Sequence, residues 1–195
     1  MTLRVTFLGT SGAVPTVERA PSAVHLNREG ESLLFDCGEG TQRQMMRFGT
    51  GFDISHLFVT HLHGDHVLGI PGLVQSMGFN DREAGLAIHG PPGTRRELQS
   101  LVHAGGTTPS FPVRVVENAP DTVALSGEGF EVRTFATEHR TTAVGYALVE
   151  DDRKGRFDRQ RAEEELGIPP GPKYGRLHEG EPVEHDGRVI QPEEV

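Results

Sequence analysis

The stretch His61-Leu62-His63-Gly64-Asp65-His66 decides how the rest of the chain reads. Four of its six residues can be metal ligands, and Gly64 lets the backbone turn sharply between them. Before it, Ile54 to Thr60 is apolar and β-branched and predicts a buried strand. After it, Val67 to Met77 predicts a helix, with Pro71 tolerated only near the first turn. Open α/β architectures place their chemistry where a strand end leads into a helix.

Along an extended segment His61 and His63 point the same way, because side chains alternate with period two, so together they can grip one ion. Asp65 and His66 suit a neighbouring ion once the chain has turned at Gly64. Neutral imidazoles favour zinc, and a carboxylate adds charge and basicity. The pattern points to two ions roughly 3.5–4 Å apart with a water between them, and to a carboxylate, Asp65, that manages its proton. Such a site suits hydrolysis of phosphate esters, thioesters or lactams. Two histidines two residues apart are common without a metal, but the added Asp65 and His66 after a strand favour metal over coincidence. A closed structural zinc site is disfavoured, because those are built mainly from cysteines and Cys37 is the only one. His139, in Thr137-Glu138-His139-Arg140, follows a strand end and is a further candidate ligand. His25, His56, His89, His103, His178 and His185 have no such setting and read as structural or solvated.

A chain of 195 residues with 35% hydrophobic content predicts one domain with a real core. No apolar run approaches a membrane span, and the N-terminus opens directly into a strand; with the single cysteine this makes a cytoplasmic location the expectation. The net charge of −9 argues against binding nucleic acid over the whole surface. Only Lys154 and Lys173 are lysines among the 19 cationic residues. That balance fits either high-salt adaptation or genomic base composition.

Leu3 to Leu8 predicts the first strand, running into a small-residue loop, Gly9 to Pro15, where backbone can approach a ligand closely. Further strands are predicted at Ala23–Leu26, Ser32–Phe35, Leu86–His89, Val113–Glu117, Asp121–Leu125, Phe130–Thr134 and Ala143–Val149. Helices are predicted at Gln42–Phe48 and after an N-cap at Thr94. The class is α/β with a mixed sheet. From Glu150 charge dominates, a short helix runs through Glu165, and Gly167 to Gly175 reads as too rich in proline and glycine for regular structure.

These residues resemble the metallo-β-lactamase superfamily through His61, His63, Asp65 and His66, and within it ribonuclease Z, which trims tRNA 3′ ends. The narrower likeness rests on Phe7-Leu8-Gly9-Thr10-Ser11-Gly12 with Pro15, on Phe35 to Gln42, on Glu138-His139-Arg140 with Gly145-Tyr146, and on Ile168 to Pro172 with Gly175. The resemblance implies an αββα sandwich of mixed sheets lacking its C-terminal portion, so that 1–195 is a single, partial domain. It implies one zinc on His61, His63 and His139 and a second on Asp65 and His66, with Asp65 also catalytic and Asp36 orienting a ligand. Residues 150–181 would form a protruding arm, inserted in the domain, that meets the body of a tRNA precursor, often on behalf of the partner in a homodimer. Arg153, Lys154, Arg156, Arg159, Arg161, Lys173 and Arg176 concentrate cationic charge there, diluted by Asp151, Asp152, Asp158 and Glu163 to Glu165.

Two departures bear on function. After Pro15 the chain keeps Arg19 but lacks the lysine and asparagine that the family usually carries near the tRNA end. Nothing near His185 and Asp186 matches the aspartate and histidines that complete the family's site. The expected activity is removal of tRNA 3′ trailers to leave a 3′ hydroxyl. The alternatives are another phosphodiesterase or ester hydrolase of this fold, or a noncatalytic fragment.

Overall fold

The computed structural model describes residues 2–106, 108–151 and 155–195, which fall into two compact units, Met1–Val149 and Glu150–Val195. In the first unit a six-stranded sheet is built from β1 (Leu3–Gly9), β2 (Ala23–Arg28), β3 (Glu31–Phe35), β4 (His56–Phe58), β5 (Leu86–Gly90) and β6 (Val113–Glu117), in that spatial order. The first three strands pair antiparallel, with Glu29 and Gly30 at φ 52° and 99° turning the tight hairpin between β2 and β3. From β3 to β6 the pairing is parallel, and the connections that cross between these strands carry α1 (Thr41–Phe48), α2 (Gly64–Val67), α3 (Ile70–Phe79) and α4 (Arg95–Val102). A second sheet orders β7 (Val123–Gly127), β8 (Phe130–Ala136) and β9 (Val144–Glu150).

One face of the large sheet buries Leu34, Leu57 and Ile88 against Met45 of α1, Ile70, Leu73 and Met77 of α3, and Leu98 of α4. The other face packs Leu26, Leu33 and Phe58 onto Phe130 and Val132 of the second sheet. This gives helices, sheet and sheet in three successive layers. Val5 pairs with Leu26 and therefore faces the same way, yet Leu3, Val5 and Phe7 are 46%, 47% and 64% exposed. The second sheet does not cover the large one as far as β1.

Three expectations are corrected. The helix expected over Val67–Met77 is two helices, α2 and α3, because the backbone breaks at Gly69, whose N–H donates to the Cys37 carbonyl at 2.8 Å. The metal motif's own Asp65 and His66 thereby become helical, and Pro71 stands in the first turn of α3. Thr94 does precede α4, but its hydroxyl donates to the Pro91 carbonyl at 2.6 Å instead of capping the helix. The segment Gly167–Gly175 is not irregular throughout: α6 (Pro172–His178) starts with Pro172, whose missing N–H costs nothing in a first turn.

In the second unit α5 (Arg159–Glu164) is capped by Asp158, whose carboxylate accepts from the Arg161 N–H at 3.0 Å. With α6 and a hairpin of β10 (Val183–His185) and β11 (Arg188–Ile190), it surrounds a small core of Ile168, Leu177, Val183 and Ile190. Arg153 and Lys154 of the basic cluster lie outside the described residues.

At the heart of the first unit two backbones lie in direct contact. A Cβ added at Gly69 would sit 2.1 Å from the Gly38 carbonyl oxygen, and one added at Gly38 would sit 2.4 Å from that of Asp65. Gly69→Ala should therefore lower stability by about 3 kcal/mol, the upper range for overpacking, whereas Gly12→Ala, with nothing near its Cβ, should change it little. Urea midpoints of both variants check this.

Candidate metal centre

The site forms where β3 and β4 end side by side. Past β3, Asp36 turns into the left-handed region at φ 57°, a conformation that aspartate tolerates better than most residues. This turn aims a carboxylate, 5% exposed, at the end of β4. Its Oδ1 accepts from the Thr60 N–H at 2.8 Å. The Thr60 hydroxyl also lies within hydrogen-bond reach of both carboxylate oxygens, at 3.0 and 3.1 Å. Oδ2 accepts from His66 Nδ1 at 2.7 Å, which leaves His66 Nε2 with its lone pair outward. Burial disfavours a proton on His66, but the hydrogen bond and charge of Asp36 outweigh it, so its pKa is raised.

Three imidazoles converge beside this knot. His61 Nε2 is 3.1 Å from His63 Nδ1, and His139 Nε2 is 3.4 Å from the same atom. All three donor atoms lie within 4.8 Å of one another. His139 arrives from beyond β8, 76 residues from His63 in sequence. An imidazole-bound divalent ion at about 2.0–2.1 Å with tetrahedral geometry sets neighbouring nitrogens roughly 3.3 Å apart. The two separations from His63 Nδ1 match that spacing and the third lies within 4.8 Å, so the donor set fits a metal ion. Burial, then the neighbouring His66 and His139, pushes the His61 pKa down to about 4. Its ring is thus neutral, as a ligand must be, at ordinary pH.

Asp65 stands beside the cluster, with Oδ2 3.5 Å from His66 Nε2. The same oxygen accepts from the Ala13 N–H at 2.7 Å. Ala13 reaches it from the β1–β2 loop at φ 55°, a left-handed conformation rare for alanine. Burial raises the Asp65 pKa, but this hydrogen bond and the positive character of His66 lower it on balance. The structure thus brings His61, His63 and His139 into one donor set and sets Asp65 and His66 next to it, with Asp36 behind. Sequence reasoning missed Thr60 and Ala13. Thr60 adjoins the motif, and its sequence context marks it only as the end of a strand. The small-residue loop signalled close backbone approach without naming Asp65 as what it approaches.

Away from the cluster, His56 and His89 are tied into the hydrogen bonding of the sheet. His89 Nδ1 lies 3.0 Å from Asn118 Oδ1 and its Nε2 lies 2.9 Å from His56 Nδ1. Burial, then His89 and Arg114, lowers the His56 pKa to about 4. Cys37 is fully buried, and burial pushes its thiol up to about 12. It is therefore no ready metal ligand.

Stacked sheets with a histidine cluster and an acid at the strand ends define a metallo-β-lactamase-fold protein. Solved structures agree: human tRNase Z, short form, is 35% identical, with a TM-score of 0.68 over 75% of this chain and 64% of that one. The metallo-β-lactamase fold protein YhfI from Bacillus subtilis superposes with a TM-score of 0.64 at 22% identity, over 75% of this chain and 58% of that one. A family model described as Anti-Pycsar protein Apyc1 matches residues 3–154, and the chain belongs to that family. It is also a relative of the ribonuclease Z proteins. It is 68% identical over 196 residues to that of Halorubrum lacusprofundi and 67% identical over 196 residues to that of Haloferax volcanii. These alignments cover 100% of this chain but 63% and 62% of those proteins, so the chain spans about 63% of the length of its curated relatives. Among the described residues no helix is long and apolar enough to cross a membrane.

Because the site binds only the folded chain, a divalent ion at 100 times its dissociation constant should add about 2.7 kcal/mol of stability. Thermal unfolding with added zinc measures this. The gain should vanish in His61→Ala, and an equal gain in that variant would place the ion elsewhere.

Proposed function

We propose that this chain carries the catalytic site of a zinc-dependent endoribonuclease that removes 3′ trailers from tRNA precursors and leaves a 3′ hydroxyl. The observation that carries the reading is the convergence of His61 Nε2, His63 Nδ1 and His139 Nε2 beside an acid held by a backbone N–H. His61, His63 and His139 would hold one zinc, and Asp65 with His66 would contribute to a second. Zinc bound there supplies an activated water and neutralises charge developing on the phosphate.

The chain's own residues account for the rest. The Ala13 N–H holds Asp65 beside the cluster, where its carboxylate would take the proton from the attacking water. Asp36 keeps His66 presenting Nε2, and the neutral His61 ring has one nitrogen with a lone pair free for a metal ion. Arg19, on the β1–β2 loop that also carries Ala13, is available to the RNA end.

The second unit favours a tRNA over a small ester. The Apyc1 model stops at residue 154, whereas the ribonuclease Z relatives align across the whole chain, including Glu150–Val195. We assign this unit, with the segment 150–181 as its arm, to the body of the tRNA, and take the working form to be a cytoplasmic homodimer. Arg161 and Arg176 form exposed ion pairs with Glu165 at 3.4 Å and Glu181 at 3.0 Å. Such pairs are weak and can exchange a carboxylate for a phosphate. The competing reading is a phosphodiesterase acting on a smaller ester, which the family model's span over residues 3–154 alone would suit.

The test is the protein expressed from its own reading frame, supplied with zinc and a 3′-extended tRNA precursor. The proposal expects a shortened tRNA with a free 3′ hydroxyl, and no product with Asp65→Ala. Replacing Arg156, Arg159 and Arg161 by glutamate should abolish precursor cleavage while sparing a chromogenic phosphodiester. Loss of neither would transfer the assignment to the small-ester reading, and no cleavage of any precursor would refute the tRNA activity.

A further inference from the structure

We propose that Thr60 is a positioning residue whose hydroxyl locks His61 in the tautomer that can bind metal, by relaying the charge of Asp36. The proposal rests on the metal reading above. It follows from counting protons. Thr60 Oγ1 lies 3.0 and 3.1 Å from the two oxygens of Asp36, 2.9 Å from His61 Nδ1 and 3.4 Å from His66 Nδ1, whose proton goes to Asp36 at 2.7 Å. An ionised carboxylate only accepts, and a hydroxyl has one proton to give. That proton goes to Asp36, since the opposite arrangement would set a hydroxyl lone pair against a buried anion. Toward His61 the hydroxyl can then only accept, so Nδ1 carries the proton. Nε2 is left with its lone pair, and Nε2 is the atom that lies 3.1 Å from His63 Nδ1 in the donor set.

Asp36 therefore orients two imidazoles through one carboxylate: His66 directly at 2.7 Å, and His61 through Thr60. The Thr60 backbone is fastened to the same anion by its N–H at 2.8 Å, so the hydroxyl is fixed from both ends. Valine has the shape of threonine without the relay, and serine keeps the hydroxyl without the methyl group. The two substitutions thus separate packing from hydrogen bonding.

Two measurements decide the matter. Long-range ¹H–¹⁵N spectra of the metal-free protein read the His61 tautomer without any metal present. The wild type should show Nδ1 protonated, Thr60→Ser should match it, and Thr60→Val should show the two tautomers mixed. Competition with a chromophoric chelator should then show zinc affinity reduced by about 10–100-fold in Thr60→Val and close to wild type in Thr60→Ser. A wild-type His61 protonated on Nε2 would overturn the proposal even if the valine variant failed to fold. So would a Thr60→Val protein with an unchanged tautomer and unchanged zinc affinity. A wild type that binds no zinc but shows Nδ1 protonated and the predicted variant spectra would sink the metal reading and leave the relay standing.

Discussion

The site depends on a single buried carboxylate. Asp36 is 5% exposed, and it receives hydrogen bonds from the Thr60 backbone, the Thr60 hydroxyl and His66. An anion removed from water must recover its lost solvation from such donors. The closest donors here are the strand end that leads into the histidine motif and one of the motif's own rings, with the Ser22 hydroxyl farther off at 3.5 Å. Satisfying the charge and organising the site are therefore the same act. The left-handed turn at Asp36 and the backbone contact of Gly38 with the Asp65 carbonyl region set how close the two strand ends must come.

Much of this was legible in the sequence, because its signals are local. The alternation of β1 and the two-residue spacing of His61 and His63 follow from period-two geometry, the buried inner strands show as short apolar and β-branched runs, and the turn at Asn27–Gly30 shows in its residue types. The strand-to-helix context of Asp65 and His66 was equally readable. What escaped depended on contacts between distant segments. The break between α2 and α3 comes from Gly69 donating to Cys37, 32 positions earlier in the sequence, and no helical periodicity reports it. Ala13 meets Asp65 across 52 residues, in a conformation alanine rarely adopts. Thr60 looked like one more β-branched strand residue, since nothing in its neighbours reveals a buried anion beside it. In the second unit, proline and glycine density suggested irregular chain, yet Pro172 starts a helix because a first turn does not need its N–H.

The chain divides into a unit that carries the candidate metal site and a unit with a separate core. The first unit brings three imidazoles and an acid together at the ends of its strands. Glu150–Val195 has a small core and a capped helix of its own. The ribonuclease Z relatives align across both units, whereas the family model ends at residue 154.

The most direct test of the account is X-ray absorption at the zinc edge on protein loaded with one equivalent of zinc. Three imidazole nitrogens at about 2.0–2.1 Å, with no sulfur in the first coordination sphere, is the result expected of His61, His63 and His139. A sulfur neighbour, or a shell of oxygen alone, would contradict it.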